Sequence, residues 1–333
     1  MNRITAQLGD QLSHVSLSGR RRPEPPPTLV LAAHGSRDPR TLATVTSLLN
    51  RVRELRPSLP VRLGHIELNE PLLTDTLAAL GPGRAVLVPL LLGRGYHVKQ
   101  DLPAAAAAAP HLHTRIAAPL GPHPLLVEAL YARLVEAGWP TGPRACCEFP
   151  ACAPTPGTHP RCTASQDRWL RHMTCDAAHR GHAPNAAAPA LRADDGELTT
   201  GPGFTPAVRR SAGVVLAAAG SSDPEGLADT RRTAQELAER LGVPVIPAYA
   251  SAAAPTVAAA LRSLAARGRH RAAVASYFTA PGRFAAQSAA GAPWIAAAPL
   301  GAHPAVAQLL LHRYDQALTA TTTTDRLQLA SAS

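Results

Sequence analysis

The string His34-Gly35-Ser36-Arg37-Asp38-Pro39, directly after the apolar run Leu29 to Ala33, returns as Ala219-Gly220-Ser221-Ser222-Asp223-Pro224. Pro119-Leu120-Gly121-Pro122-His123-Pro124 returns in the same way as Pro299-Leu300-Gly301-Ala302-His303-Pro304. Two echoes at nearly matching distances mean that one unit of about a hundred residues, a normal domain size, is used twice. Whatever closes the core of one half must therefore close the other. The first half carries the short apolar runs Leu29 to Ala33, Val61 to Leu68, Ala85 to Leu92 and Thr114 to Ala118, bounded by Gly or Pro. Such runs suit strands buried on both faces. Thr41 to Leu55, Leu72 to Leu80 and Leu125 to Ala137 have apolar residues at helical spacing and serve as crossovers that keep the strands parallel. The stretch between the third and fourth strands reads as a loop. Val214 to Ala217, Val243 to Tyr249, Ala272 to Phe278 and Trp294 to Ala297 repeat the strand order. The expected class is α/β, with two similar doubly wound parallel-sheet domains. They span residues 28–138 and 213–318, flanked by a disordered tail at 1–27, a linker at 139–212 and a second tail at 319–333.

Composition narrows the partners. Hydrophobic residues make up 46% of the chain, enough for two cores. No stretch reaches the roughly 18 uncharged apolar residues of a membrane helix. The opening segment lacks the apolar centre of a signal peptide, so a cytoplasmic, non-membrane protein is expected. The net charge of +10 raises nucleic acid as a partner, but aromatic residues are only 4% of the chain, which leaves few platforms for base stacking. A small, carboxylate-rich ligand would exploit the same positive field. All five cysteines, Cys146, Cys147, Cys152, Cys162 and Cys175, lie in the linker near His159, His172, His179 and His182. Without a C-x-x-C pair they read as free thiols, with an accessory zinc or iron–sulfur site as the alternative.

The chemistry-bearing residues stand at the carboxyl ends of the predicted strands, where parallel α/β sheets bind ligands. His34 ends the first strand, Glu67 the second, and His97 follows the third in Gly93-Arg94-Gly95-Tyr96-His97. Two imidazoles and a carboxylate form a mixed N/O site suited to a divalent first-row ion, with coordination positions left open. The second half has Ala219, Ser251 and Phe284 at the corresponding places, so the fold does not require the polar groups. His65 and Glu70 are reserve ligands. His65 should share a strand face with Glu67, while Glu70 can serve the start of the next helix. His123 and His303, present in both copies, read as structural. Asp38 and Asp223 read as helix N-caps followed by Pro at the first helical position. Gly35 and Ser36 expose backbone N–H groups at a helix start, where a substrate carboxylate can dock.

Three strings together resemble the class II tetrapyrrole chelatases, the family of sirohydrochlorin ferrochelatase and the cobaltochelatases of vitamin B12 synthesis. They are Leu31-Ala32-Ala33-His34-Gly35-Ser36-Arg37, Ile66-Glu67-Leu68-Asn69-Glu70-Pro71, and Val88-Pro89-Leu90-Leu91-Leu92 running through His97-Val98-Lys99-Gln100-Asp101-Leu102-Pro103. The resemblance covers Thr28 to Ala137 closely and Gly213 to Leu318 weakly. It implies two similar halves facing across a cleft, with His34 and His97 as metal-binding histidines and Glu67 as the acidic residue. It further implies insertion of Fe2+, preferred over Co2+, into sirohydrochlorin, for siroheme or cobalamin. Arg37, Arg94, Lys99 and Arg283 are then candidate partners for the substrate's carboxylates, along with Ser36. The metal is substrate, no tightly bound cofactor is expected, and a monomer holds both halves. A metal or tetrapyrrole carrier without catalysis is the competing expectation, and a basic nucleic-acid-binding protein a more distant one.

Overall fold

Short apolar strands alternating with amphipathic helices build one four-stranded parallel sheet per half. The computed structural model describes residues 25–141 and 205–331, with side chains through residue 320. The first lobe runs β1 (Thr28–Ala33), α1 (Pro39–Leu55), β2 (Val61–His65), α2 (Leu73–Ala78) and β3 (Gly83–Pro89). A π-helical turn (His97–Asp101) then leads into α3 (Leu102–Ala107), β4 (Leu112–Ile116) and α4 (Pro124–Glu136). The second lobe runs α5 (Pro206–Ser211), β5 (Ala212–Ala218), α6 (Pro224–Leu241), β6 (Val245–Tyr249) and α7 (Val257–Ala266). It closes with β7 (Arg271–Tyr277), α8 (Arg283–Ala290), β8 (Ile295–Ala296) and α9 (Pro304–Ser331). The strand orders are β2-β1-β3-β4 and β6-β5-β7-β8, so the duplication extends to topology.

Two sequence expectations need correction, and helix also extends beyond the expected bounds of the second half. The connection from β3 to β4 is helical rather than a loop, because the alanine run after Pro103 has the highest intrinsic helix propensity available. The second strand stops at His65, which puts Glu67 in the following turn instead of at a strand end. The short helix α5 precedes the expected start of the second lobe at Gly213. The helix from Pro304 continues to Ser331 through the expected tail, since neither Pro nor Gly follows to break it. The first 24 residues and residues 142–204, with all five cysteines and the histidines near them, lie outside the described residues.

The caps follow the sequence reading. The Asp38 side chain accepts from Arg40 N, the Asp223 side chain accepts from Glu225 N, and a proline opens each helix. His123 and His303 are caps too, their Nδ1 atoms accepting from Leu125 N at 3.1 Å and Ala305 N at 3.2 Å. An accepting ring nitrogen must be unprotonated. Burial, with the nearby Arg313 and His312, pushes the His123 imidazole down to about 4.

Each sheet must be covered on both faces, and the halves do this jointly. One face of the first sheet packs Val30, Ala32 and Leu87 against Leu73 and Leu77 of α2 and Leu102 of α3. The other face receives α1 and also α9, which packs on β3, β4 and α1 of the first lobe. Reciprocally, α4 of the first lobe packs on β7 and α6 of the second. The final helix of each half thus covers its neighbour's sheet. Leu126, Leu130 and Leu134 of α4 and Leu309, Leu310 and Tyr314 of α9 are buried, each large apolar side chain contributing about 1.5–3 kcal/mol. Polar ties fix the register: Arg133 donates to Leu300 O at 2.9 Å, Arg313 to Leu120 O at 3.0 Å, and Tyr314 Oη to Pro27 O at 2.7 Å.

Two predictions follow from the shared scaffold. Gly220 has φ +99°, and a Cβ there would come within 1.9 Å of Ser251 O. Gly220→Ala should lower stability by about 2–4 kcal/mol in urea unfolding while leaving the first lobe's polar cluster chemically intact. His123 binds protons less readily folded than unfolded, so its contribution is present above pH 6.5 and is lost as the pH falls toward 4. His123→Asn keeps a capping side chain and should flatten that fall in thermal melts taken across the interval.

Candidate metal centre

Because β1 lies between β2 and β3, the turns that leave all three strands converge. The ladder continues past the strand ends: Ile66 N donates to Ala33 O, Glu67 N to His34 O, and Leu90 N to Ala32 O. His34 and Glu67 are thereby set side by side. The turn needs Gly35, at φ +99°, because a Cβ there would fall 1.8 Å from Glu67 O. Asn69 Oδ1 accepts from Ser36 N at 2.6 Å and joins the two turns, while Ser36 Oγ accepts from Asp38 N. His97 opens the π-helical turn, a geometry that recurs at functional sites.

His34, Glu67 and His97 each offer a ligand atom, and the three atoms lie within 4.8 Å of one another. His34 Nε2 is 3.3 Å from Glu67 Oε1, and the imidazoles meet edge to face with centroids 4.5 Å apart. Each ring has its Nδ1 engaged: that of His34 with Gly35 O at 3.2 Å, and that of His97 with Asp101 Oδ2 at 2.6 Å. The Nε2 of His34 is thereby turned to Glu67 within the cluster. The side chains are partly exposed, 43% for His34, 50% for Glu67 and 32% for His97, so water and an incoming group can reach them. Among the described residues this is the cluster with metal-binding geometry. A small cavity lined by His34, Leu42, Asn69 and Thr279 shows the second lobe's β7–α8 turn reaching the site. A larger space of about 440 Å³, bordered by Arg84, His113, Arg115 and Leu318, contains none of the three ligands.

The other sequence candidates fall elsewhere. His65 does not join the cluster. It is 2% exposed, its Nδ1 contacts Pro71 O at 3.3 Å, and burial lowers its pKa below the ordinary range. The shared-face expectation fails because the strand ends at His65, before Glu67. Glu70 accepts from Leu72 N ahead of α2, the helix-start role. The docking role expected for Ser36 N–H is filled within the protein by Asn69. Arg37 and Arg283 are exposed. Arg94 and Lys99 instead pair with the second lobe. Arg94 Nη2 donates to Asp229 Oδ1 at 3.3 Å, and Lys99 Nζ lies 2.5 Å from Asp223 Oδ2 and 3.0 Å from Glu225 Oε2. Hydrogen bonding to both acids holds the Lys99 ammonium above its ordinary pKa, and Lys99 holds the Asp223 carboxyl below its own. Asp101 was missed because its region read as a loop; the spacing of four from His97 signals it only once that region is helical.

The second lobe repeats the scaffold without the ligands. Gly220 again has φ +99°, Ala252 the left-handed backbone of Leu68, and Ala254-Pro255 the cis bond of Glu70-Pro71. Ser251 N donates to Ala219 O as Glu67 N does to His34 O. Leu300 N donates to Phe278 O as Leu120 N does to Leu91 O, which sets Phe284 opposite His97.

A family model described as CbiX matches residues 28–137 and 213–317. The chain belongs to the CbiX family. Sirohydrochlorin cobaltochelatase of Methanococcus aeolicus is 35% identical over 78 residues, which cover 22% of this chain and 54% of that protein. The chain thus spans about half the length of that curated relative. Among solved structures, SirB from Bacillus subtilis with Fe3+ matches at a TM-score of 0.57 and 19% identity, covering 88% of this chain and 95% of the other. The sirohydrochlorin chelatase SirB from Bacillus subtilis subspecies spizizenii, in complex with cobalt, matches at 0.56 and 18% identity with the same coverage. These likenesses show that the two-lobed α/β fold is shared.

A carboxylate that holds a ligand histidine fixes its tautomer and raises its basicity. Asp101→Asn should weaken binding of Co2+ by about 10- to 100-fold, measured by titration calorimetry on the folded protein.

Proposed function

We propose that this protein inserts a divalent metal ion, Fe2+ or Co2+, into sirohydrochlorin. The observation that carries the reading is the convergence of His34, Glu67 and His97, with the Nδ1 of each imidazole held elsewhere in the protein and His34 Nε2 turned to Glu67. The CbiX membership and the names of the relatives agree with it. Insertion exchanges the ion's water for ring nitrogens and releases two protons from pyrrole N–H groups. Each demand has a group here. His34 and His97 hold the incoming ion through neutral nitrogen, a ligand that binds first-row metals and releases them to a better chelator. Glu67, half-exposed beside His34, accepts the leaving protons in turn and passes them to solvent. Arg37 and Arg283, both exposed, are the candidate partners for the carboxylates of the macrocycle.

The donor set ranks Fe2+ and Co2+ only loosely, so supply of the ion selects between them as much as the protein does. The substrate would be a soluble, highly charged molecule. No helix among the described residues is long and apolar enough to cross a membrane.

Purified protein mixed with sirohydrochlorin and Fe2+ or Co2+ should change the absorption spectrum faster than the protein-free control. His34→Ala should lower that rate by at least about 100-fold, the scale of losing a metal-binding and proton-handling group. Tight binding of the tetrapyrrole or metal without acceleration would instead identify a carrier.

A further inference from the structure

The two lobes meet through reciprocal contacts that are equivalent by duplication but unlike in chemistry. Where the second lobe's β7–α8 turn meets the first lobe, Thr41 Oγ1 donates to Pro281 O at 2.6 Å. On the opposite side, the turn that leads to His97 meets the start of α6, and the contact is ionic. Lys99 pairs with Asp223 and Glu225, and Arg94 with Asp229, its Nε 3.2 Å from Oδ2, with Nη1 3.8 Å from Glu225 Oε1. The corresponding residues on the first side are Asp38, Arg40 and Thr44 at the start of α1, with Pro281 in the β7–α8 turn and Ala286 in α8, which cannot form such a set. Asp38 is instead bound to Arg40 of its own helix.

Close approach of the backbones makes the contact tight. A Cβ on Gly226 would lie 3.1 Å from Arg94 O, and one on Gly93 would lie 3.7 Å from Gly226 Cα. Gly226 stands where the first lobe has Thr41. The Asp229 side chain is only 9% exposed, so its pairing with Arg94 is less screened than a surface ion pair. Arg94 and Lys99 bracket His97 in sequence, and each is held by α6.

We propose that the second lobe, having no metal ligands of its own, is a positioning element for the first. Through Arg94 and Lys99 it clamps the turn before α3 so that His97 Nε2 faces His34 and Glu67. Neither cation is then a substrate ligand. Asp101 sets the rotation of the ring, and the clamp sets where the ring's backbone stands. Held in place before the ion arrives, the turn loses no conformational freedom on binding, which raises metal affinity.

The inference rests on the reading of His97 as a metal ligand, and Co2+ binding to the full-length protein without tetrapyrrole tests the two separately. Lys99→Met and Arg94→Met should each bind Co2+ about 3- to 10-fold more weakly, and the double variant about 10- to 100-fold. Lys99→Arg, which keeps the charge, should restore most of the affinity. The visible absorption of bound Co2+ reports its nitrogen ligands, so the double variant's spectrum should approach that of His97→Ala, a change that loss of global stability alone would not produce. Glu225→Gln weakens the clamp without removing a helix cap, and should lower affinity if the double variant does not fold. Unchanged affinity and spectrum in the folded variants, with His97→Ala impaired, would overturn the clamp while leaving His97 as a ligand. Wild-type affinity in His97→Ala would overturn both.

Discussion

The exchange of terminal helices between the lobes is the constraint on which the rest of the structure depends. A parallel sheet needs apolar cover on both faces because its strands present side chains to each. In this chain α4 covers part of the second sheet and α9 part of the first. Neither lobe then closes its core alone. The relative placement of the two sheets is fixed by buried leucines and by arginines that cap carbonyls of the opposite lobe. A turn of the second lobe can therefore stand at a set distance from a histidine of the first.

Within that frame the candidate metal centre needs little beyond ordinary α/β geometry. Three adjacent parallel strands end on one side, and a glycine in left-handed backbone lets the first turn pass against the second. The same turn, with the same glycine conformation, recurs in the second lobe around Ala219 and Ser251. Since the scaffold is identical there without the polar side chains, His34, Glu67 and His97 are additions to the fold. The three side chains are partly exposed, so the cluster is open to water and to an incoming group, unlike a closed and fully satisfied coordination shell.

Charge follows the same division of labour. Arg94 and Lys99, on either side of His97 in sequence, are held by acids at the start of α6, whereas Arg37 and Arg283 are exposed. Lys99, the chain's single lysine, has its ammonium between two carboxylates and is a structural cation.

Much of this was legible in the sequence. The duplicated strings around Gly35 and Gly220 disclosed two lobes, and apolar runs bounded by Gly or Pro located the strands. The absence of His34, Glu67 and His97 from the second copy singled them out as candidate ligands, because a local pattern records which residues a turn can spare. Tertiary structure alone decided that His65 turns inward, that Asp101 holds His97, and that Arg94 and Lys99 spend their charge on the second lobe. It also decided which sheet each final helix covers. An apolar stripe on a helix states that one face must be buried, but the duplicated sheets offer it two similar partners. Only contacts between residues distant in the chain select between them.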